Sequence, residues 1–249
     1  MKVLGSVAQT IQHYKKINGY CPYWKLKYKL RCKSTEYELT SWLKDYPIKS
    51  NLPKAIIARE QLSGIGQNSR PWFSPKGGIW LSAAYPIFSS KFSSEIFSLS
   101  FAVKLCEMFN TESIKVDLKW PNDIFYGSKK LIGFLPRVIT RGKEIIYVRI
   151  GFGMNFLNKT PNGGISLSEI LNDKNICAYY WTAKILKAIN DSVECNPRKE
   201  HIIEIANKYL SKKYLPRGYD SDYWRIKEVD NNGNLRIHND NYEKVLRRF

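Results

Sequence analysis

Residues 119–134 read KWPNDIFYGSKKLIGF. An alternating stretch, IKVDLKW (114–120), predicts a strand that runs into it. Pro121 then forces an extended turn and removes a backbone donor. Asn122 and Asp123 therefore present an amide and a carboxylate just past a strand end. Lys129 and Lys130 follow a turn at Gly127, and Gly133 lets the next strand come close to something. Two lysines, a carboxylate and an amide around one strand–turn–strand suit an anionic ligand with a bound Mg2+. A surface hairpin with salt-bridged lysines has the same pattern. The residues alone leave both readings open.

Residues 129–156 continue as a hairpin that turns at Arg141, Gly142 and Lys143. Upstream, SSEIFSLSFAVKLCEMFN (93–110) is apolar around most of its circumference, as a helix packed on several sides is. AIIAR (55–59) and GGIWLSAAYP (77–86) are short buried strands. KLKYKLRC (25–32) alternates basic with apolar residues, which predicts a strand with one basic and one apolar face. Ser34 or Thr35 caps a helix holding Tyr37, Leu39, Trp42 and Leu43, and Pro47 ends it. Helical spacing also recurs at Val3, Leu4, Val7, Ile11 and Tyr14, and again over 178–210. After Pro216 come YWRIKEV and NLRIHN, split by a DNNG hairpin turn at 230–233. The sum is α+β: a mixed or antiparallel sheet carrying helices, then a small β appendage.

The chain has 249 residues, which suits one medium domain plus such an appendage. No apolar run reaches the roughly 18 residues that a membrane span needs, so no membrane partner is expected. Forty Lys and Arg face 22 Asp and Glu, a formal charge of +18, and no acid precedes Glu36. A field of that sign attracts nucleic acid, nucleotides or an acidic protein, although a solvated lysine-rich surface has the same composition. Helix-turn-helix, zinc-finger and RNA-recognition spacings are missing, which speaks against DNA as a partner. Cys21, Cys32, Cys106, Cys177 and Cys195 are odd in number and scattered, and His13, His201 and His238 stand apart from them. That speaks against a structural zinc or a disulfide framework and points to buried or partly buried free thiols in a reducing cytoplasm.

KWPNDI followed by KKLIG resembles the signature of biotin protein ligases. KST (33–35) resembles the family's S-T pair beside the biotin ring. REQLSGIGQNSRPWFSP (59–75) falls where the family has Q-x-x-G-R-G-R-x-G-R-x-W-x-S-P. GGIWLS resembles the strand after that loop, and GFGMNF (151–156) is similar to the family's G-x-G-x-N strand. Five motifs stand in order and in register. The resemblance implies a sheet like that of class II aminoacyl-tRNA synthetases over residues 1–212, with a small SH3-like β domain at 213–249.

It also implies an enzyme without a DNA-binding domain that uses ATP, biotin and Mg2+. Biotin's carboxylate attacks the α-phosphate of ATP to give biotinyl-5'-AMP. A lysine of a biotin carboxyl carrier protein, the acetyl-CoA carboxylase subunit, then takes the biotinyl group. By resemblance, Lys130 bridges the biotin carboxylate and the phosphate, and Lys119 adds a second catalytic charge. Ser34, Thr35, Gln61, Gly64, Gln67 and Gly133 belong to the biotin pocket. Arg70, Trp72, Asn122, Asp123 and Asn155 belong to the nucleotide, with Asp123 as the Mg2+ ligand. Monomer and homodimer both stay open. The alternatives are a catalytically weakened biotin- or carrier-binding paralogue and a lipoate or octanoyl ligase of the same fold; the latter lack K-W-P-N-D.

Two stretches depart from the family. Ile65 and Gln67 replace two arginines of the loop, and Ser69 replaces its next glycine. Losing one charge-assisted hydrogen bond costs roughly 1.5–3 kcal/mol, about ten- to a hundredfold in affinity. The expectation is slower adenylation, a leakier adenylate, or compensation by Arg59 or Arg70. The second departure is Pro136–Arg137, where the family has an aliphatic residue and a glutamate. Arg137 reverses that charge, and Pro136 suggests an edge or a bulge.

Overall fold

The computed structural model describes residues 7–18, 24–46, 52–216 and 218–247. Val3, Leu4, Cys21 and Pro47 lie outside them. In chain order the elements are α1 (Val7–Asn18), β1 (Lys25–Lys29), α2 (Thr35–Asp45), β2 (Lys54–Ala58), β3 (Gly64–Ile65), β4 (Pro71–Trp72) and β5 (Ile79–Pro86). Next come α3 (Phe97–Asn110), β6 (Asp117–Lys119), β7 (Asp123–Tyr126), β8 (Lys129–Arg141) and β9 (Glu144–Met154). Then follow α4 (Leu167–Leu171), α5 (Ala178–Cys195), α6 (Lys199–Tyr209), β10 (Arg225–Val229), β11 (Leu235–His238) and β12 (Glu243–Leu246). Met1–Ser89 with Ser128–Asn190 make one compact unit, and Ser90–Gly127 with Asp191–Phe249 make another.

In the first unit the strands run β1-β2-β5-β9-β8. β1 and β2 are parallel and the other neighbours antiparallel, so the sheet is mixed. The β8–β9 hairpin forms as its sequence predicts, with Arg141 paired to Glu144 and Gly142 at φ 60° in the two-residue turn. Alternation along the strands sorts side chains onto two faces. Ile56, Ser82 and Gly151 are register partners on one face, which α2 covers. There Leu39 and Leu43, one helical turn apart, meet Ile56 and Ala84. Burying each of those leucines contributes about 1.5–3 kcal/mol. Ser34 caps α2, its hydroxyl accepting from the Glu36 N–H at 3.3 Å. The opposite face carries Tyr28, Ile57 and Arg59, which line a cavity with Val7 and Thr10 of α1 and Tyr179 of α5.

In the second unit α3 is buried on nearly every side, from Phe97 to Phe109, as its all-round apolarity predicts. α6 packs on it through a face holding Ile202, Ile203 and Ala206. Asn196 ties the α5–α6 junction to the start of α3, accepting from the Ser93 N–H (2.6 Å) and donating to the Ser93 carbonyl oxygen (3.0 Å). β10-β11-β12 form a separate antiparallel sheet. The DNNG turn forms, with Gly233 at φ 79° and its N–H donating to the Asp230 carbonyl oxygen at 2.9 Å. No described helix is long and apolar enough to cross a membrane.

Several elements differ from expectation. The helical stretch 178–210 is two helices, because Pro197 cannot continue α5 and α6 starts at Lys199. Strand 25–32 stops at Lys29 because β2, its only ladder partner among the described residues, ends at Ala58; Leu30, assigned to an apolar face, is 64% exposed. Strand 114–120 shortens to β6, whose register with β7 pairs Lys119 with Asp123. The connection is a tight turn with a cis Trp120–Pro121 bond, not an extended one. The C-terminal sheet has a third strand, β12, where the sequence pattern suggests two.

Cys32, Cys106 and Cys195 are free and wholly or partly buried, but Cys177 is exposed, its sulfur 3.7 Å from His13 Nε2. The fold thus brings together a cysteine and a histidine that the sequence keeps 164 positions apart. Burial pushes the Cys32 and Cys195 thiols up to about 11 and raises Cys106 as well, which keeps all three protonated at pH 8. Of these four, only Cys177 is therefore expected to react with Ellman's reagent in the native state at pH 8, the others reacting after unfolding. Peptide mapping of the labelled thiols checks this, and native labelling of Cys106 would contradict it.

Candidate functional site

Gly133 of β8 and Gly153 of β9 are register partners on the α2 face of the sheet. With no side chain on either, the backbone is bare there, and the Trp72 indole lies on it. A Cβ built on Gly133 would stand 2.8 Å from the Trp72 ring and 3.0 Å from the Lys130 side chain. A Cβ on Gly153 would stand 2.5 Å from Trp72 Nε1. Such distances cannot be accommodated without movement, so both glycines are needed for the ring to seat. Lys130 Nζ sits 4.8 Å from the Trp72 ring centroid, within cation–π range. Trp72 Nε1 is buried and has no acceptor among the described residues. An unpaired buried donor costs about 1–3 kcal/mol.

Lys130 is fixed by its main chain. Its N–H donates to the Gly163 carbonyl oxygen (2.8 Å), and its own carbonyl oxygen accepts from the Ile165 N–H (3.0 Å). Asn155 Nδ2 donates to that same carbonyl oxygen at 3.3 Å, and Asn155 Oδ1 accepts from Asn158 Nδ2 at 3.0 Å. Asn155 thus bonds backbone and braces the loop that clamps Lys130. Gly163, at φ 79°, turns this loop.

A second cluster joins α2 to the loop of residues 61–74. Thr35 donates twice to Gln61 Oε1, from its N–H (2.8 Å) and its hydroxyl (3.0 Å), and its hydroxyl meets the Ser82 hydroxyl at 2.8 Å. Gln61 Nε2 donates to Ser74 Oγ at 2.8 Å, and Ser74 Oγ donates to the Trp72 carbonyl oxygen at 3.0 Å. Gly64 leaves room for this chain, since a Cβ there would stand 2.5 Å from Ser74 Oγ. Ser34 is buried beside it as the helix cap. The network links Thr35, the first residue of α2, to the main chain of Trp72. Ser74 and Ser82 were not singled out from the sequence; Ser82 had a signal, being the one serine or threonine in the apolar run Ile79–Pro86.

β3 and β4 close the intervening loop as a small ladder, pairing Gly64 with Trp72 and Ile65 with Pro71. Gln67 is half-buried in the turn at the tip, and Arg70 is exposed just after it. Ser69, which stands where the family loop has glycine, takes φ 58°, a left-handed backbone. Arg59 does not compensate for the missing arginines, because it lines the cavity on the opposite face of the sheet.

Arg137 finds its partner in Glu36 of α2. Arg137 Nη2 donates to Glu36 Oε2, and Arg149, its register partner on β9, donates to the same oxygen at 3.1 Å. The reversed charge thus pairs, from an exposed position, with the buried Glu36–Arg149 pair.

Lys119, Asn122 and Asp123 belong to the second unit. Lys119 Nζ lies 5.1 Å from the Phe125 ring centroid and 5.5 Å from that of Tyr214. Asn122 is buried, whereas Asp123 is half-buried at the start of β7. The described residues hold no group of three or more acidic, histidine or cysteine side chains that would form a protein-only metal cage. A single carboxylate such as Asp123 suits Mg2+, which keeps several waters and takes its remaining ligands from substrate phosphates. Trp120, 9% exposed, donates from Nε1 to the Gly233 carbonyl oxygen at 3.0 Å.

Residues 33–155 match the sequence profile of the biotin/lipoate A/B protein ligase family. The bifunctional ligase/repressor BirA of Bacillus subtilis is 31% identical over 117 residues, which cover 45% of this chain and 36% of that protein. The biotin–[acetyl-CoA-carboxylase] ligase of Paracoccus denitrificans is 24% identical over 113 residues, 44% of this chain and 47% of that protein. The chain thus spans under half the length of these curated relatives. A biotin protein ligase from Aquifex aeolicus, solved in complex with biotin and ATP, superposes with a TM-score of 0.70 at 20% identity. The superposition covers 90% of this chain and 96% of that one, so the two share a fold.

If the glycine pair seats Trp72, Gly153→Ala displaces the indole toward solvent. In protein labelled with 5-fluorotryptophan, the 19F resonance assigned by Trp72→Phe is expected to shift and narrow in the Gly153→Ala variant. An unmoved resonance would contradict the assignment.

Proposed function

We propose, from the premise that residues 33–155 form a domain of the biotin/lipoate A/B protein ligase family, that this chain joins biotin to a lysine of a carrier protein using ATP. The observation that carries the reading is Lys130, clamped by its main chain beside Trp72 above a side-chain-free floor. An acyl adenylate forms from two anions, so the site has to supply fixed positive charge rather than a strong base.

In the first step a biotin carboxylate oxygen attacks the α-phosphorus of ATP. The bond from that phosphorus to the bridging oxygen breaks, and pyrophosphate leaves. Lys130 holds the carboxylate and the α-phosphate together, and Lys119 adds charge on the nucleotide. Ser34, Thr35 and Gln61 face the biotin ring, with Gly64 and Gln67 shaping its pocket and Gly133 seating Trp72 and Lys130 beside it. Trp72, Arg70, Asn122 and Asn155 serve the nucleotide. Asp123 would hold a Mg2+ that screens the phosphate charge. In the second step the neutral ε-amine of a carrier lysine attacks the acyl carbon, the bond to AMP breaks, and the amine's proton passes to solvent.

We further propose that the acceptor is the biotin carboxyl carrier protein of an acetyl-CoA carboxylase, in keeping with the name of the Paracoccus denitrificans relative. The setting we propose is cytoplasmic, the partners excluding DNA, and the organisation a catalytic domain at 1–212 with an SH3-like domain at 213–249. A catalytically weakened binding protein is the second reading, favoured by Ile65 and Gln67 in place of the loop arginines.

Biotin-dependent ATP–pyrophosphate exchange separates the two. Wild-type protein is expected to catalyse it, and Lys130→Ala to slow it by about a hundredfold or more, as losing a charge on a developing anion does. Persistent exchange in Lys130→Ala would overturn the role of that lysine, and no exchange in the wild type would favour the binding protein. Gln67→Arg restores one charge-assisted bond and is expected to slow release of biotinyl-5'-AMP by about tenfold or more. A release rate equal to wild type would show that the loop's lost charges do not govern retention.

A further inference from the structure

Glu36 follows Ser34 and Thr35 at the start of α2 and is 8% exposed. Two arginines from paired positions on β8 and β9 hold it. Arg149, also buried, donates from Nη2 to Glu36 Oε2 (3.1 Å), to the Glu36 carbonyl oxygen (3.1 Å) and to Thr40 Oγ1 (3.0 Å). Arg137 donates to Oε2 from the outer side, its own side chain 56% exposed. The opposite edge of the carboxylate meets bare backbone, since a Cβ on Gly151 would lie 3.4 Å from Oε1. The cluster therefore grips both the side chain and the main chain of the first turn of α2. Thr35, whose N–H and hydroxyl hold Gln61, is the residue next to it.

We infer that Glu36, Arg137 and Arg149 are positioning residues that set the Thr35–Gln61 contact for the biotin ring. This rests on the function proposed above. It gives Arg137 a purpose where the family has glutamate. A glutamate there would stand against Glu36, so the arginine at 137 and the glutamate at 36 belong together. None of the three side chains is assigned a contact with the reacting atoms. Their effect reaches the reaction through the α2 terminus, and so falls on biotin affinity rather than on turnover.

Arg137 is the position to test, because its exposed side chain can change without opening the core, whereas loss of Arg149 strips a buried carboxylate of its buried partner. In pyrophosphate exchange, Arg137→Glu is expected to raise the KM for biotin by about tenfold, leaving kcat and the KM for ATP within about twofold. Arg137→Lys keeps the charge and is expected to stay near wild type. Arg137→Glu combined with Glu36→Gln removes the repulsion and is expected to recover most of the biotin KM. An unchanged biotin KM in Arg137→Glu, or a fall in kcat with both KM values moved, would overturn the inference while the ligase reading stands. A wild type without biotin-dependent exchange would overturn both.

Discussion

The site depends on the absence of two side chains. Gly133 and Gly153 face each other across adjacent antiparallel strands, and together they expose a patch of backbone wide enough for an indole. Trp72 fills that patch, Lys130 borders it, and the Ser74–Gln61–Thr35 chain of hydrogen bonds ties the Trp72 main chain to the first residue of α2. A methyl group on either strand would collide with the ring. What looks in sequence like two loose glycines in apolar strands is thus a steric requirement on which the arrangement above the sheet rests.

The sheet's two faces divide the labour. One face carries the candidate site, α2 and the Glu36 cluster. The other carries Tyr28, Ile57 and Arg59 against α1 and α5. Period-two alternation makes this separation strict, since a side chain at an odd position cannot serve the face of its even neighbours. Arg59 is close to the loop in sequence yet faces away from the site.

Local pattern made much of this legible. The β8–β9 hairpin, the cap and apolar stripe of α2, the all-round apolarity of α3 and the DNNG turn are each written within a few residues, where periodicity and turn chemistry decide the outcome. Motif order placed the site's residues in one family frame. What remained hidden depends on partners far along the chain. Arg137 looked like an unexplained reversal because Glu36 lies 101 positions away. Ser82 and Ser74 look ordinary until strand register sets them beside Thr35 and Gln61. Leu30 follows the alternation of β1 but falls just beyond its ladder, where the pattern no longer determines which side is covered.

The loop of residues 62–71 closes on its own short ladder with Ile65 and Gln67 in place of two arginines, Arg70 being its one charge. Gly64 pairs with Trp72, and Ser69 holds a left-handed conformation in place of glycine. The most direct measurement is the intact mass of a purified biotin carboxyl carrier domain incubated with this protein, biotin and ATP. A gain of one biotinyl group on a single lysine, dependent on both small molecules, is expected. A carrier whose mass does not change would contradict it.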